Sequence, residues 1–373
     1  MKKSSLLKKI FAFTAALSLM TAAFSGCVEK TSSSTAEATT TAAPTGDSTS
    51  DSTVDPASIK DTITVYTALE DDIIANYLVS FKEKYPNITI EIVRDSTGTV
   101  ISKLIAEKDA PVADVLWGTA VTSLLALDEY GLIEPYNPVG MERILPQFRD
   151  KESVARWVGI DVPETAILVN KSECDRLNIP VPTSYADLIK PEYQGHIAMS
   201  DPTSSGTGLF IINSILQIMG EEAGWEYLDA FDKNVIEYTS SGSKPAKMAA
   251  AGEAIIGLSM GYRCVTLAND SEECVVVFPS EGSGWDVEAN CLIKKDNIKE
   301  ASKIFLDWAI SEEAMEAYRV EYPIVATGGD GSVPNGYNQD PVKNLYPDID
   351  LYAMAEGRSA FFEEFSRRYL TAQ

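Results

Sequence analysis

Residues 61–131 read DTITVYTALEDDIIANYLVSFKEKYPNITIEIVRDSTGTVISKLIAEKDAPVADVLWGTAVTSLLALDEYG, and strand and helix signals alternate along them. Short apolar runs predict strands that end at Tyr66, cover 88–94 and run from Val112 to Trp117. Apolar residues at helical spacing follow each run, and Gly131 ends the last of the three predicted helices. This repetition predicts a mainly parallel sheet with helices on both faces.

A second series of the same signals begins at residue 197. Apolar runs predict further strands at 197–200, 255–260, 275–278 and 287–293. Helices are expected between these strands, and residues 301–318 predict one broken helix or two short ones. The sequence therefore predicts two α/β units.

Two α/β units predict a two-lobed binding protein with a ligand cleft between the lobes. We expect one lobe to comprise 61–160 together with 286–373, and the other lobe to comprise 161–285. In open α/β sheets the ligand lies beyond the carboxyl ends of the strands. The loops expected at the mouth of the cleft begin at Tyr66, Asp95, Trp117, Asp201 and Gly261.

The amino-terminal 27 residues have the pattern of an export signal. Lysines precede an apolar stretch from Ile10 to Phe24, which is shorter than the about 20 residues of a membrane-spanning helix. Phe24-Ser25-Gly26-Cys27 is similar to a bacterial lipobox, with Phe24 where Leu is usual, so Cys27 is the expected lipidation site. An ordinary secretory peptide and a short membrane anchor are the alternatives. Residues 28–60 are poor in large apolar side chains and predict a disordered tether.

The composition excludes several classes of function. The chain has 373 residues, with 55 acidic residues against 31 Lys plus Arg and a net charge of -24. A protein that binds nucleic acid needs a basic face, so no nucleic-acid partner is expected. A single histidine, His196, excludes a His-rich metal centre, and no metal or cofactor is predicted.

The cysteines of the body are Cys174, Cys264, Cys274 and Cys291, and none of them form a Cys-x-x-Cys motif. Zinc and iron–sulfur sites are therefore disfavoured. A Cys264–Cys274 disulfide and isolated buried cysteines remain alternatives for an exported chain. The single histidine leaves no His-x-x-x-His motif and no Ser/His/Asp arrangement is found around it, so the sequence predicts no enzyme.

Three segments rich in hydroxyls and glycine precede predicted helices, namely Asp95–Thr99, Asp201–Gly208 and Tyr238–Pro245. The first N–H groups of a helix lack internal partners and, together with the helix dipole, favour an anion. Each segment predicts either an anion site or a simple helix cap. One such loop in each lobe could hold one anion from both sides.

A cationic group on a ligand needs carboxylates or an aromatic face. Gly284-Trp285-Asp286-Val287-Glu288 supplies both kinds of side chain. Tyr262 could hydrogen-bond a ligand oxygen, and Arg263 could contact the ligand or a carboxylate of the other lobe. Further aromatic and acidic candidates are Tyr66, Glu70, Trp117, Trp157 and Asp161.

Several of these segments are similar to solute-binding proteins of ABC importers. The resemblance rests on Ile63–Asp71, Val93–Gly98, Ala113–Gly118, Trp157–Gly159 and Lys190–Gly195. Ser204–Gly208, Tyr238–Pro245 and Gly284–Glu288 further resemble the 2-aminoethylphosphonate-binding branch, which is related to ferric-iron-binding proteins. Ferric-iron-binding proteins typically use adjacent tyrosines, whereas Arg263 follows Tyr262 here.

The resemblance implies a type II periplasmic-binding-protein-like fold that closes about a hinge. It implies a lipid-anchored monomer at the outer face of the cytoplasmic membrane, which captures 2-aminoethylphosphonate or a similar zwitterion for ABC permease subunits. A ferric-iron or other small-anion importer subunit is the alternative within this class, and a surface phosphoester or phosphonate hydrolase is the alternative outside it. The expected ligand-binding residues are Tyr66, Thr97, Gly98, Trp117, Trp157, Ser205, Gly206, Thr207, Ser243, Tyr262, Asp286 and Glu288.

Overall fold

The computed structural model describes residues 55–329, 332–338 and 340–371. The predicted signal segment with Cys27 and most of the predicted tether lie outside these residues. The folded body begins before residue 61, because the Asn87 amide donates a hydrogen bond to the carbonyl oxygen of Ala57 at 3.1 Å. In the described part of the chain, no helix is long and apolar enough to cross a membrane.

The strands fall into two sheets. In chain order they are β1 (Asp61–Thr67), β2 (Ile88–Arg94), β3 (Val115–Ala120), β4 (Ile133–Glu134), β5 (Val158–Asp161), β6 (Thr165–Asn170), β7 (Ile197–Ser200), β8 (Val235–Thr239), β9 (Ile256–Met260), β10 (Cys274–Val277) and β11 (Glu288–Ile293). The first sheet has the order β2-β1-β3-β11-β4, with β5 also paired to β11. The second sheet has the order β10-β6-β9-β7-β8.

Helices cover both sheets. In chain order they are α1 (Asp71–Tyr77), α2 (Val79–Lys84), α3 (Thr97–Ala106), α4 (Val121–Glu129), α5 (Lys171–Leu177), α6 (Gly206–Met219), α7 (Glu221–Phe231), α8 (Lys244–Ala250), α9 (Gly261–Asn269), α10 (Glu300–Ala309), α11 (Glu312–Tyr318), α12 (Leu351–Glu356) and α13 (Arg358–Phe365). The parallel pairs β1–β2 and β1–β3 show the expected strand–helix repetition. Strand β11 instead runs antiparallel to β3, which returns the chain to the first sheet.

The chain crosses between the two sheets twice, and the crossing segments lie side by side. The first crossing joins β5 to β6 and the second joins β10 to β11. The Thr165 N–H donates to the Gly284 carbonyl at 2.8 Å, and the Asp286 N–H donates to the Pro163 carbonyl at 3.2 Å. These short paired segments therefore connect the strands of one sheet to those of the other.

The core of the first lobe is a cluster of buried aromatic side chains. Trp117 meets Tyr77, Phe305 and Trp308 edge to face, with ring centroids 5.5 to 6.3 Å apart. The Trp117 Nε1–H donates to the Tyr318 hydroxyl at 3.1 Å. Such edge-to-face pairs add about 0.5–1.5 kcal/mol each beyond burial of their area.

The carboxy-terminal segment packs on both lobes. Helix α12 packs against α4 of the first lobe. Helix α13 packs against the second lobe, where Phe361 stacks on Trp225 with ring centroids 5.8 Å apart. Phe365 meets Tyr238 edge to face at 5.4 Å. The tail that we assigned to the first lobe from the sequence therefore contacts the second lobe as well.

Two predicted elements differ from the structure in their bounds. The first of the three predicted helices, which carries Ile74, Tyr77, Leu78, Phe81 and Tyr85 at helical spacing, is divided at Leu78 into α1 and α2. The strand expected from Val112 to Trp117 lies three residues later, at Val115–Ala120. Directly before the strand, the buried Asp114 carboxylate accepts hydrogen bonds from the Thr64 N–H and from two lysines.

The sequence does not predict strands β5 and β6. Their side chains are buried on both faces, so the alternation of apolar and polar residues that marks a half-buried strand is missing. Pro163 and Glu164 separate the two strands and place the first crossing between them.

Candidate functional site

One cavity lies between the lobes at the carboxyl ends of strands from both sheets. Its volume is about 30 Å³, and it is partly open to solvent. Loops after β1, β2 and β3 line it from the first lobe, and loops after β7, β8 and β9 line it from the second. This is the cleft that the two α/β units predict.

The amino terminus of α3 forms the first-lobe side of the cleft. Ser96 has an extended backbone and precedes the helix, and both Ser96 and Thr97 line the cavity. The N–H groups of the first turn have no partners within the helix. The positive end of the helix dipole therefore faces the cleft.

The amino terminus of α6 forms the facing side. Ser205 caps this helix, because its side-chain oxygen accepts a hydrogen bond from the Gly208 N–H at 3.3 Å. Ser205, Gly206 and Thr207 all line the cavity. Residue 206 must be glycine, since a Cβ there would lie 2.7 Å from the Thr97 Oγ1 of the opposite lobe.

The lobes touch each other directly above the cavity. The Gly98 N–H at the start of α3 donates to the Ser204 carbonyl at 3.0 Å. The Ser96 hydroxyl donates to the Ser240 carbonyl at 2.8 Å. These hydrogen bonds join loops of opposite sheets, so the structure represents the closed arrangement.

An ion pair joins the lobes beside these contacts. The Arg263 guanidinium, which is nearly fully buried in α9, lies 2.9 Å from a carboxylate oxygen of Asp72 in α1. The hydrogen bond from Arg263 holds the pKa of the Asp72 carboxyl below its usual value. Of the two partners expected for Arg263, the structure shows the carboxylate of the other lobe.

Arg94 is a cleft residue that sequence reasoning missed. It ends β2 and lines the cavity, where its guanidinium lies 2.9 Å from the Glu70 carboxylate and donates to the Leu69 carbonyl at 3.0 Å. Lys247 lies 3.8 Å from the other oxygen of Glu70. A basic residue at the carboxyl end of a strand, directly before the Asp95–Thr99 loop, is the signal that could have identified it.

Acidic side chains form the floor of the cleft. Glu288 lines the cavity, and the antiparallel register pairs it with Asp161 of β5. Burial raises the pKa of Glu288 to about 8. Burial, and then the neighbouring Glu288, raise the pKa of Asp161. Glu164 is buried in the first crossing, which raises its pKa to about 8, but it does not line the cavity.

The structure brings five of the predicted ligand-binding residues to the cavity wall, namely Thr97, Ser205, Gly206, Thr207 and Glu288. Gly98 lies at the contact between the lobes. The other cavity-lining residues were not predicted as ligand contacts, and they include Ser96, Pro163, Phe210, Gly242 and Met260.

The aromatic predictions are corrected by the structure. Tyr66 is buried in the first lobe, where its hydroxyl lies 3.1 Å from Glu107, and Lys103 lies over its ring. Trp117 is fully buried in the aromatic core. Trp157 lines a separate small pocket behind β11. These side chains pack the first lobe and do not line the cleft.

Three further predicted contacts also lie behind the cleft wall. Asp286 is fully buried and accepts a hydrogen bond from the Thr122 hydroxyl at 2.6 Å, and burial raises its pKa to about 6. Ser243 is buried at the start of α8, with its hydroxyl 3.3 Å from that of Ser241. The Tyr262 ring packs on Tyr322 with centroids 4.9 Å apart.

The cysteine alternatives can now be separated. All four body cysteines are free and buried, so the structure contains no Cys264–Cys274 disulfide. Cys264 and Cys274 belong to the same small apolar cluster of the second lobe. Within the described ranges, no group of three His, Cys, Asp or Glu side chains is arranged to hold a metal ion.

Comparisons with known proteins show what this architecture is similar to. Residues 110–342, more than half of the chain, match the family described as bacterial extracellular solute-binding protein. An uncharacterized protein of Haemophilus influenzae is 28% identical over 315 residues, covering 83% of this chain and 91% of that protein. A probable ABC transporter periplasmic-binding protein of Sinorhizobium fredii, y4fP, is 27% identical over 275 residues, covering 71% of this chain and 74% of that protein.

Among solved structures, the periplasmic binding protein AfuA from Actinobacillus pleuropneumoniae, with exogenous fructose-6-phosphate bound, is similar with a TM-score of 0.77. It is 25% identical in sequence, and the likeness covers 84% of this chain and 100% of that chain. The predictions of a two-lobed α/β fold and of an ABC-transporter solute-binding protein are confirmed. The family comprises binding proteins and not enzymes, so the hydrolase alternative is wrong. The chain belongs to the bacterial extracellular solute-binding protein family.

Proposed function

We propose that this protein captures a small phosphonate zwitterion, with 2-aminoethylphosphonate as the first candidate, and delivers it to the permease subunits of an ABC importer. One observation carries the proposal. The amino termini of α3 and α6, from opposite lobes, line the same cavity.

The two helix termini suit the phosphonate group. They belong to helices of 10 and 14 residues, which are long enough to carry a substantial dipole. The first-turn N–H groups other than those of Gly98 and Gly208, together with the hydroxyls of Thr97, Ser205 and Thr207, offer donors from both sides of the cleft. Hydrogen bonds to an anion are worth about 1.5–3 kcal/mol each, so a few such donors suffice for tight binding.

The floor of the cleft suits the amino group. Glu288 lines the cavity. Its Oε2 is buried and has no hydrogen-bond partner in the described part of the chain. An ammonium group would satisfy this oxygen and neutralise its charge. A ligand with an anionic and a cationic end therefore matches the wall and the floor of one cavity.

Closure strengthens both interactions. The contacts of Gly98 with Ser204 and of Ser96 with Ser240 bring the two helix termini together and restrict solvent access to the cavity. Electrostatic attraction grows as the effective dielectric constant falls, so a ligand gains more in the closed than in the open form. This difference drives hinge closure on the ligand.

The proposed place of action follows from the amino-terminal segment. Lipidation at Cys27 would hold the protein at the outer face of the cytoplasmic membrane, and the low-complexity residues after it would act as a tether. In this arrangement a monomer delivers the captured solute to its permease.

A phosphate ester such as a sugar phosphate is the second candidate. AfuA, which is 25% identical, is described with fructose-6-phosphate bound. A phosphate group would use the same two helix termini as a phosphonate. The candidates differ at the other end of the ligand, where a sugar brings hydroxyls and 2-aminoethylphosphonate brings an ammonium group.

A thermal-shift scan of the purified protein tests the proposal. The panel contains 2-aminoethylphosphonate, simple phosphonates, phosphate, fructose 6-phosphate, putrescine and ferric citrate. A ligand at 100 times its dissociation constant stabilises the folded protein by about 2.7 kcal/mol. A shift with 2-aminoethylphosphonate supports the proposal. A shift with fructose 6-phosphate alone would favour the second candidate, and a shift with ferric citrate alone would favour an iron-binding subunit.

A further inference from the structure

Two buried carboxylates lie side by side under the cleft. Asp161 at the end of β5 and Glu288 at the start of β11 are partners in the antiparallel register. Asp161 is fully buried and Glu288 is 8% exposed. Within the described residues, both carboxylate oxygens of Asp161 and the Oε2 of Glu288 have no hydrogen-bond donor. Two such carboxylates resist simultaneous ionisation, because each is desolvated and each repels the other.

The surroundings of the pair do not supply a positive charge to relieve this repulsion. The titratable groups that face the pair are the acids Glu70, Glu164 and Asp286 and the phenols Tyr77, Tyr262, Tyr318 and Tyr322. None of these groups is a cation at neutral pH. The two nearby guanidinium groups are engaged elsewhere, Arg263 with Asp72 and Arg94 with Glu70.

We propose that Asp161 and Glu288 share one proton in the ligand-free protein, and that the ammonium group of the ligand replaces this proton when it binds. The inference rests on the proposed function, whose cationic ligand end lies at Glu288. The carboxyl O–H bond breaks, the proton passes to solvent, and the N–H donors of the ammonium group take its place. The charge of the site is conserved, because one positive charge replaces another.

The pKa of Glu288, raised to about 8 by burial, agrees with a proton that is still held at neutral pH. The exchange makes the site selective for cationic ligands. A phosphonate without an ammonium group leaves the proton in place, so its affinity does not depend on this pair. The affinity for 2-aminoethylphosphonate rises between pH 6 and pH 8 by up to about tenfold per pH unit, the limit for release of one proton.

Calorimetric titration at pH 7 in buffers of different ionisation enthalpy measures the protons released. We expect binding of 2-aminoethylphosphonate to release about one proton more than binding of 2-hydroxyethylphosphonate, in which a hydroxyl replaces the ammonium group. Because the ammonium group lowers the pKa of the phosphonate beside it, each free ligand is titrated separately and the proton exchange of its phosphonate is subtracted. Equal proton release with both ligands, or no release with 2-aminoethylphosphonate, would overturn the inference.

Two variants assign the effect to the pair. Asp161→Asn places an amide donor beside Glu288 and should abolish the proton release. Asp307→Asn removes another desolvated carboxyl, which accepts a hydrogen bond from Tyr136 and does not line the cavity, and it should leave the release unchanged. Release that persists in Asp161→Asn contradicts the assignment.

If 2-aminoethylphosphonate does not bind, the proposed function and the exchange of the proton for the ligand are both rejected. The shared proton is then tested by itself in the ligand-free protein. A carboxyl pair that holds a proton only when folded makes the folded state less stable as pH rises. The melting temperature of the unmodified protein should therefore fall more steeply between pH 5 and pH 8 than that of Asp161→Asn. Equal slopes would show that the pair shares no proton.

Discussion

Substitution of Gly98 by alanine separates closure of the lobes from folding. A Cβ at this position would lie 2.7 Å from the carbonyl oxygens of both Thr203 and Ser204 in the opposite lobe. These are backbone atoms, so no side-chain rotation relieves the clash. The backbone of residue 98 is helical within α3, and alanine is intrinsically more favourable in helices than glycine by up to about 1 kcal/mol. The substitution therefore opposes closure without opposing the fold of the first lobe.

The magnitude follows from the contacts that closure makes. Opening at residue 98 breaks the hydrogen bond from Gly98 to Ser204 and the hydrogen bond from Ser96 to Ser240. At about 1 kcal/mol each, their loss costs about 2 kcal/mol of closure free energy, or roughly 30-fold in ligand affinity. Calorimetry with 2-aminoethylphosphonate measures the affinity, and the melting temperature of the ligand-free protein measures the fold.

The matched control is Gly357→Ala, since a Cβ there meets only the Ala353 carbonyl at 3.3 Å and lies far from the cleft. The control should bind as the unmodified protein does. Unchanged affinity in Gly98→Ala would refute the reasoning, because the closed arrangement could then not depend on the close approach at this glycine. A lower melting temperature of the ligand-free variant would also refute it.

Three other changes have defined outcomes. Ser205→Ala combined with Thr207→Val removes two hydroxyl donors and should weaken ligand binding by at least about tenfold, since each charge-assisted hydrogen bond is worth about 1.5–3 kcal/mol. Calorimetry measures the affinity, and unchanged binding would show that this loop is not part of the site. Asp72→Asn should weaken binding about threefold, a modest effect because the carboxylate is largely exposed. Because Arg263 lowers the pKa of Asp72, the contribution of the ion pair is complete above the usual Asp pKa and is lost as pH falls from there through the lowered value. The unmodified protein should therefore lose that same factor only in acid, and unchanged affinity in Asp72→Asn would show that the pair does not support closure. Phe365→Ala should lower the free energy of unfolding by about 3–5 kcal/mol in denaturant titration, because the side chain is fully buried, and a change below about 1 kcal/mol would show that the tail is not part of the folded body.

The helix starts that line the cleft are predictable from the sequence because their signal is local. Ser205, Gly206 and Thr207 lie within a few residues of one another, between a strand and a helix. Thr97 has the same setting in the other lobe. Short-range chemistry and the strand–loop–helix order are enough to place such residues at the carboxyl edge of a sheet.

The floor of the cleft depends on pairing that the sequence does not display. Asp161 and Glu288 become neighbours only through the register of β5 on β11, and β5 lacks the alternation that marks a strand. Either residue alone is one acidic side chain among many in a chain of net charge -24. Sequence reasoning could therefore propose Glu288 but could not identify its partner.

The aromatic candidates lie away from the cavity for a different reason. Tyr66 lies near the carboxyl end of β1, as expected, whereas Trp117 lies in the middle of β3. Their side chains point into the first lobe, where Trp117 meets a cluster of aromatic rings, and not toward the cleft. Residue type and position along a strand do not decide between these two directions when both faces of the sheet are covered.

A crystal structure of the protein grown with 2-aminoethylphosphonate tests the central claim most directly. The account predicts that the phosphonate oxygens lie within hydrogen-bond distance of backbone N–H groups at the amino termini of both α3 and α6, with the amino group at Glu288. A ligand bound elsewhere, or a phosphonate that contacts the helix terminus of only one lobe, would contradict the account.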